Sequence, residues 1–138
     1  MARMSVSEIL QRCSEFKKKD ERVTALKVNC NDACKTILQY MFHPDVKFLL
    51  PEGAPPFKPS QFDEPNMLHA EARKLYLFVE GGNNNLTSLR RESLFIDLLQ
   101  SVSDKDAELL IAMKDKKSPY KGLTKDVVYS AFPELFPT

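Results

Sequence analysis

Histidine is scarce in this sequence, and so is cysteine. With only His43 and His69 as ready bases, a nucleophile has almost nothing to activate it, and no Ser–His or Cys–His arrangement suggests itself. Three cysteines, Cys13, Cys30 and Cys34, are an odd number, unsuited to a disulfide framework and suited to a reducing compartment. Cys30-x3-Cys34 with His43 approaches a zinc pattern but lacks a fourth ligand, so neither a metal nor another cofactor is expected. No window has the long uncharged apolar run of a membrane span, and "MARMSVSEILQRC" lacks the apolar core of a signal peptide. The expected location is therefore the cytoplasm. Charge of one sign is also missing: a net +1 excludes both a DNA mimic and an indiscriminate polyanion coat. Any polyanion contact has to come from a patch.

Alternating apolar–polar runs are absent as well, and what remains reads as helix. Val6, Ile9, Leu10, Cys13 and Phe16 fall on one face of a 3.6-residue helix, started by a capping box of Ser5 and Glu8. Asp20 is placed to cap a second helix that buries Val23, Leu26 and Val28. Asn31 is placed to cap a third, with Cys34, Ile37, Leu38 and Met41 inward and Pro44 ending it. "PEGAPPFKPSQFDEP", residues 51–65, holds five of the nine prolines, which excludes a helix or a central strand. It is expected to wrap the surface, pinned by Phe57 and Phe62. The clearest helical pattern is Leu68, Ala72, Leu75, Tyr76 and Val79, stopped by Gly81-Gly82. Further helices bury Leu89, Leu94, Phe95, Leu98, Leu99 and Val102, then Leu109, Leu110 and Met113 after a Ser103 cap, then Val127, Val128 and Ala131 before Pro133. The expected architecture is one all-α domain over residues 1–138, a bundle of six to seven short helices with a proline-rich excursion.

One segment stands out from this bland background. "KDKKSPYKGLTKDVV" sets Lys114, Lys116, Lys117, Lys121 and Lys125 against Asp115 and Asp126. Gly122 would let a backbone approach closely, and free N–H groups after Thr124 would present partial positive charge. Such a turn can hold phosphates, with Tyr120 against a sugar or base and Arg90-Arg91 as a second contact. The alternative is a lysine-rich connector kept soluble by its charges. Lys17, Lys18 and Lys19 are assigned to the far side, as a control for reversing Lys116, Lys117 and Lys121 together.

The order of these pieces carries a resemblance. "LLIAMKDKK", "SPYKG", "LTKDVVYSA" and "FPELF" are similar, in order, to the N-terminal α-helical DNA-binding domain of phage-type ATP-dependent DNA ligases. The opening "SEILQRCSEFKKKDERVTALKVNCNDACKTILQYMFHPDVKF" is likewise similar to the ligase start, and the chain also looks like a small protein that recurs in large tailed phages. The adenylylation motif Lys-x-Asp-Gly is missing, and so is the length for a nucleotidyltransferase domain. The resemblance implies a free-standing, non-enzymatic DNA-binding domain, in the host cytoplasm if phage-encoded. It points to Lys116, Lys117, Lys121, Gly122, Leu123 and Thr124, with Arg90 and Arg91 as further guesses. The partner expected is duplex DNA without strong sequence preference, since no helix carries the Arg/Asn/Gln array that reads base edges. The second reading is a module that binds a host or phage protein through Phe57, Phe62 and the tail residues Leu135 and Phe136. Neither reading involves a small-molecule substrate or a membrane.

Overall fold

Most of the helix starts coincide with a side chain that can accept a backbone N–H, and these caps lay out the chain. The computed structural model describes residues 4–58 and 67–136. Ser5 Oγ accepts the Glu8 N–H at 3.3 Å and opens α1 (Val6–Ser14). Asn31 Oδ1 takes the Cys34 N–H at 3.1 Å to open α3 (Asp32–Phe42). Thr87, Ser103 and Thr124 do the same for α5 (Ser88–Ser101), α6 (Asp104–Lys114) and α7 (Lys125–Ala131). Each such cap is worth about 1 kcal/mol. The second helix, α2 (Lys19–Asn29), departs from expectation. Asp20 lies inside it, and the N-terminal bond is instead made by Glu21, whose carboxylate accepts the Lys18 N–H at 3.3 Å.

The segment that reads most clearly as a regular α-helix is the least regular. A single α-turn, α4 (Met67–Glu71), passes into a 3₁₀ helix over Ala72–Phe78. Ala72, Leu75 and Phe78, spaced by three, line up on one side of a three-residue-per-turn helix and are all buried. Tyr76, which the α-helical pattern turns inward, is 46% exposed. Val79 leaves the helix to bridge Phe48 antiparallel, with Leu49 N–H donating to Phe78 O at 2.9 Å and Glu80 N–H to Lys47 O at 2.8 Å. Gly82 turns the chain back so closely that a Cβ there would lie 1.7 Å from Tyr76 O.

The described residues form seven α-helices and two 3₁₀ segments around one apolar cluster that runs from Val6 to Phe136. α3 packs on α6 through Cys34, Ile37, Leu38, Met41, Leu109, Leu110 and Met113, all essentially without exposure. α2 lies along α7; α1 touches α2, α3 and α6; α5 covers α6 and the 3₁₀ helix. Phe16 and Val28, expected inward, are 46% and 75% exposed, and so is Leu89 on α5, because those positions lie beyond the edge of each packed stripe. The described part of the proline-rich excursion is pinned as expected at Phe57, which packs on the core. Polar bonds add to it: Lys58 N–H reaches Gln100 Oε1 at 3.0 Å and Gly53 N–H reaches Asp115 Oδ1 at 3.2 Å. Phe62 lies outside the described residues.

Both histidines are engaged by structure. His69 bridges Asn31 Nδ2 at 2.7 Å and Met4 O at 2.9 Å, so its Nε2 carries the proton and donates to the carbonyl. His43 Nδ1 accepts the Asp45 N–H at 3.0 Å beyond the end of α3. Beneath α1, Asp106 is fully buried; one oxygen accepts the Ser7 N–H at 2.9 Å and the other has no hydrogen-bond partner.

Candidate nucleic-acid interface

The basic segment begins where α6 ends, and the first lysines in it are consumed by that ending. Lys117 N–H bonds Ala112 O at 2.9 Å and Lys116 N–H bonds Met113 O at 3.0 Å, the paired bonds of a Schellman stop. That stop needs a left-handed residue, and Lys116 occupies it at φ 61° in place of the usual glycine, a strain of roughly 1 kcal/mol or more. The side chain is anchored in return: Lys116 Nζ donates to Tyr40 O, and to His43 O at 2.8 Å, the last carbonyls of α3. A cation at a helix C-terminus is favourable there, while burial pulls its pKa down to about 8.

Lys114, unlike Lys116, is turned inward, its side chain only 2% exposed. Its ammonium pairs with Asp115 and donates to Pro51 O at 2.8 Å, clamping the start of the proline-rich segment. Arg91 is 5% exposed and spreads its guanidinium over three carbonyls, Leu77 O at 3.2 Å, Asn83 O at 3.3 Å and Leu86 O at 3.2 Å. Expected to meet phosphates, Lys114, Lys116 and Arg91 instead hold loops to helices. Reversing Lys116 together with its neighbours would therefore damage the fold, and Lys116 does not belong in that test.

The middle of the turn is also structural. Tyr120 donates its hydroxyl to Ser7 O at 3.2 Å, and burial pushes the phenol pKa up, so its ring is not free to stack on a nucleotide. Gly122 is required by packing: a Cβ would stand 2.0 Å from Ser14 O at the end of α1. Leu123 sits in the core at 1% exposure, and Thr124 spends its hydroxyl on capping Val127 N–H at 3.3 Å. Tyr120, Gly122 and Leu123 are taken up by packing, while Thr124 stays exposed with its hydroxyl oxygen capping α7.

Five of the expected cations lie at the surface: Lys116, tied to carbonyls at the end of α3, and Lys117, Lys121, Lys125 and Arg90. Lys125 lies over the Tyr129 ring, 5.2 Å from its centroid. Arg90 is exposed on the first turn of α5. Cations from outside the segment also reach this face. Lys19 Nζ pairs with Asp126 Oδ2 at 2.7 Å, so the connector between α1 and α2 is on the same face as the α6–α7 turn. Assigning Lys17, Lys18 and Lys19 to the far side is thereby overturned, because α2 packs lengthwise on α7. Arg22, which the sequence gave no reason to single out, donates through Nε to Phe16 O at 2.6 Å. With Gln11, Ser14, Tyr120 and Lys121 it lines a polar groove of about 520 Å³ between the two connectors.

The alternative docking residues are also placed. Phe136 is buried, stacked on Tyr129 with centroids 4.2 Å apart, and Leu135 is half-buried with its carbonyl accepting Gln39 Nε2 at 3.0 Å. The tail folds back on the core and offers no free hydrophobic hook. Among the described residues no group of three His, Cys, Asp or Glu is placed to hold a metal ion, and no helix is long and apolar enough to cross a membrane.

Residues 9–119 match a family described as "Family of unknown function (DUF6433)", and the chain belongs to that family. No curated protein and no solved structure matches it.

Proposed function

We propose that this DUF6433 protein is a non-enzymatic accessory protein that binds duplex DNA through its phosphates, without strong sequence preference, in the cytoplasm of a phage-infected cell. The observation that carries the reading is a rigid turn with free amines. The α6–α7 connection is fixed by the Schellman stop, by Tyr120 on Ser7 and by Leu123 in the core, yet Lys117 and Lys121 are exposed with no carboxylate paired to them among the described residues. A preorganised backbone presenting lysines to a polyanion loses little entropy on binding, and each phosphate neutralised releases condensed counterions. The resemblance to a ligase DNA-binding domain points the same way.

The test is duplex binding by fluorescence anisotropy at low salt, wild type against Lys117→Gln/Lys121→Gln. The double variant should lose most of its affinity while its stability changes by no more than about 0.5 kcal/mol. Duplex binding that survives in the variant would refute the role of the turn.

A protein partner is the second reading, and one feature favours it. Phe16 and Val28 stand exposed along α2 beside Ala25 and Thr24. Such a contact would be nearly indifferent to salt, whereas a phosphate complex weakens steeply.

A further inference from the structure

We infer that the α1–α2 connector and the start of α2 form the second edge of the DNA site, with Lys17, Lys18 and Arg22 adding to Lys117 and Lys121 on one face. This rests on the DNA reading above and extends it to residues far away in sequence.

Three observations on the structure converge. First, the two connectors are tied together: Lys19 pairs with Asp126, and Arg22 packs against Gly122, whose Cβ would come within 3.0 Å of Arg22 Nε. Second, they share a groove to whose lining both contribute, Gln11, Glu15 and Arg22 from the first half and Tyr120 and Lys121 from the turn. Third, the charge is concentrated there. Residues 15–22 and 117–126 hold seven of the twenty Lys and Arg but only four of the nineteen Asp and Glu. That is a surplus of three in a chain of net +1, so the rest of the molecule is net negative. A polyanion is steered to this face and repelled from the others.

The acids on the face do not cancel it. Asp126 is already neutralised by Lys19 at 2.7 Å. Asp20 and Glu21 lie in the first turn of α2, where the helix dipole favours them, and Glu21 is occupied by the Lys18 N–H. Glu15 remains in the groove wall as the one carboxylate facing the phosphate path. Lys17 and Lys18 are exposed and make no side-chain bond among the described residues, so their amines are free to reach a backbone phosphate. Cations on both segments, beside a groove lined by Arg22 and Lys121, fit a sugar-phosphate strand of a duplex, since phosphates recur along it while the bases stay untouched.

The experiment measures duplex affinity and its salt dependence for four proteins: wild type, Lys17→Gln/Lys18→Gln, Lys117→Gln/Lys121→Gln, and Arg73→Gln/Lys74→Gln on the 3₁₀ helix. That helix packs on α3, α4 and α5 and not along α2 or α7, so the last pair is the remote control. Lys17→Gln/Lys18→Gln should weaken binding about tenfold and flatten the salt slope by roughly two, one per lost phosphate contact. The remote pair should stay within about twofold of wild type. An unchanged Lys17→Gln/Lys18→Gln variant beside a non-binding Lys117→Gln/Lys121→Gln variant would overturn the second edge and leave the DNA reading standing. Equal losses in all three variants would mean diffuse attraction and overturn the site. A wild type that does not bind duplex DNA at low salt would remove both readings together.

Discussion

Arg90 and Arg91 are adjacent in sequence and opposite in circumstance, which makes them a sharp test of the structure. Arg91 is buried with its guanidinium shared among three backbone carbonyls, and no carboxylate lies within 4 Å of it among the described residues. A hydrogen bond from a charged donor contributes about 1.5–3 kcal/mol in isolation, but three bonds from one group are not additive. Truncation to Ala would also admit water to the loop carbonyls, which offsets part of the loss. A net cost of about 3 kcal/mol follows, and at about 4 °C per kcal/mol for a chain of this size Tm should fall by roughly 10 °C. Arg91→Lys should lose about half as much, because a single ammonium cannot fork across carbonyls on both sides. Arg90→Ala, at an exposed position, should move Tm by no more than about 2 °C. Circular dichroism melts of the three variants decide it. If Arg91→Ala and Arg90→Ala melt within a degree or two of each other, the three-carbonyl anchor is wrong.

Gly122→Ala should destabilise by about 1–3 kcal/mol, since the new methyl meets Ser14 O at 2.0 Å and the α1 end or the turn must shift. A melt equal to wild type would show that the glycine serves a ligand and not the packing. Asp106 gives a pH signature: burial raises its pKa in the folded state above the ordinary 3.8, so the fold gains stability from this group as pH falls towards that value and loses it as pH rises through the raised one. Urea unfolding at pH 7 and pH 5 should therefore show wild type gaining on Asp106→Asn upon acidification. Tyr120 and Cys34, which share its surroundings, remain in both proteins; a wild type that loses ground on acidification would contradict the assignment.

How much of this is legible without coordinates depends on how local each interaction is. Ser5, Asn31 and Ser103 act within three residues of themselves, so their capping roles are readable directly. The segment after Met67 is not, because Leu68, Ala72 and Leu75, spaced four and three apart, suit a period of 3.6, and nothing in them marks the change to 3₁₀ at Ala72. What decides between them is Phe78 facing the core and Val79 reaching Phe48, a partner some thirty residues back in the chain. The lysines fail for another reason. Their charge is visible, but their acceptors are backbone carbonyls, which every residue carries and no pattern marks. Nothing near Lys116 says that it will find Tyr40 O and His43 O, and nothing near Arg91 announces Leu77, Asn83 and Leu86.

On the proposed DNA reading, that inward use of cations also limits how strongly the protein would hold DNA. Of the five lysines in the basic segment, Lys114 and Lys116 cap carbonyls, and Lys125 is partly drawn over Tyr129. Lys117 and Lys121 alone would give a salt slope near two, too shallow for useful binding at physiological ionic strength. Adding Lys17, Lys18 and Arg22 raises the possible phosphate contacts to about five, hence a slope of roughly four to five, with Glu15 subtracting from it. A site of that size binds in the micromolar range or weaker and is lost readily at high salt. It suits a protein that meets DNA alongside a larger assembly and does not coat it. On the same reading, the packing of α2 along α7 would hold the two segments at a fixed spacing, with the exposed Lys19–Asp126 pair adding little stability of its own.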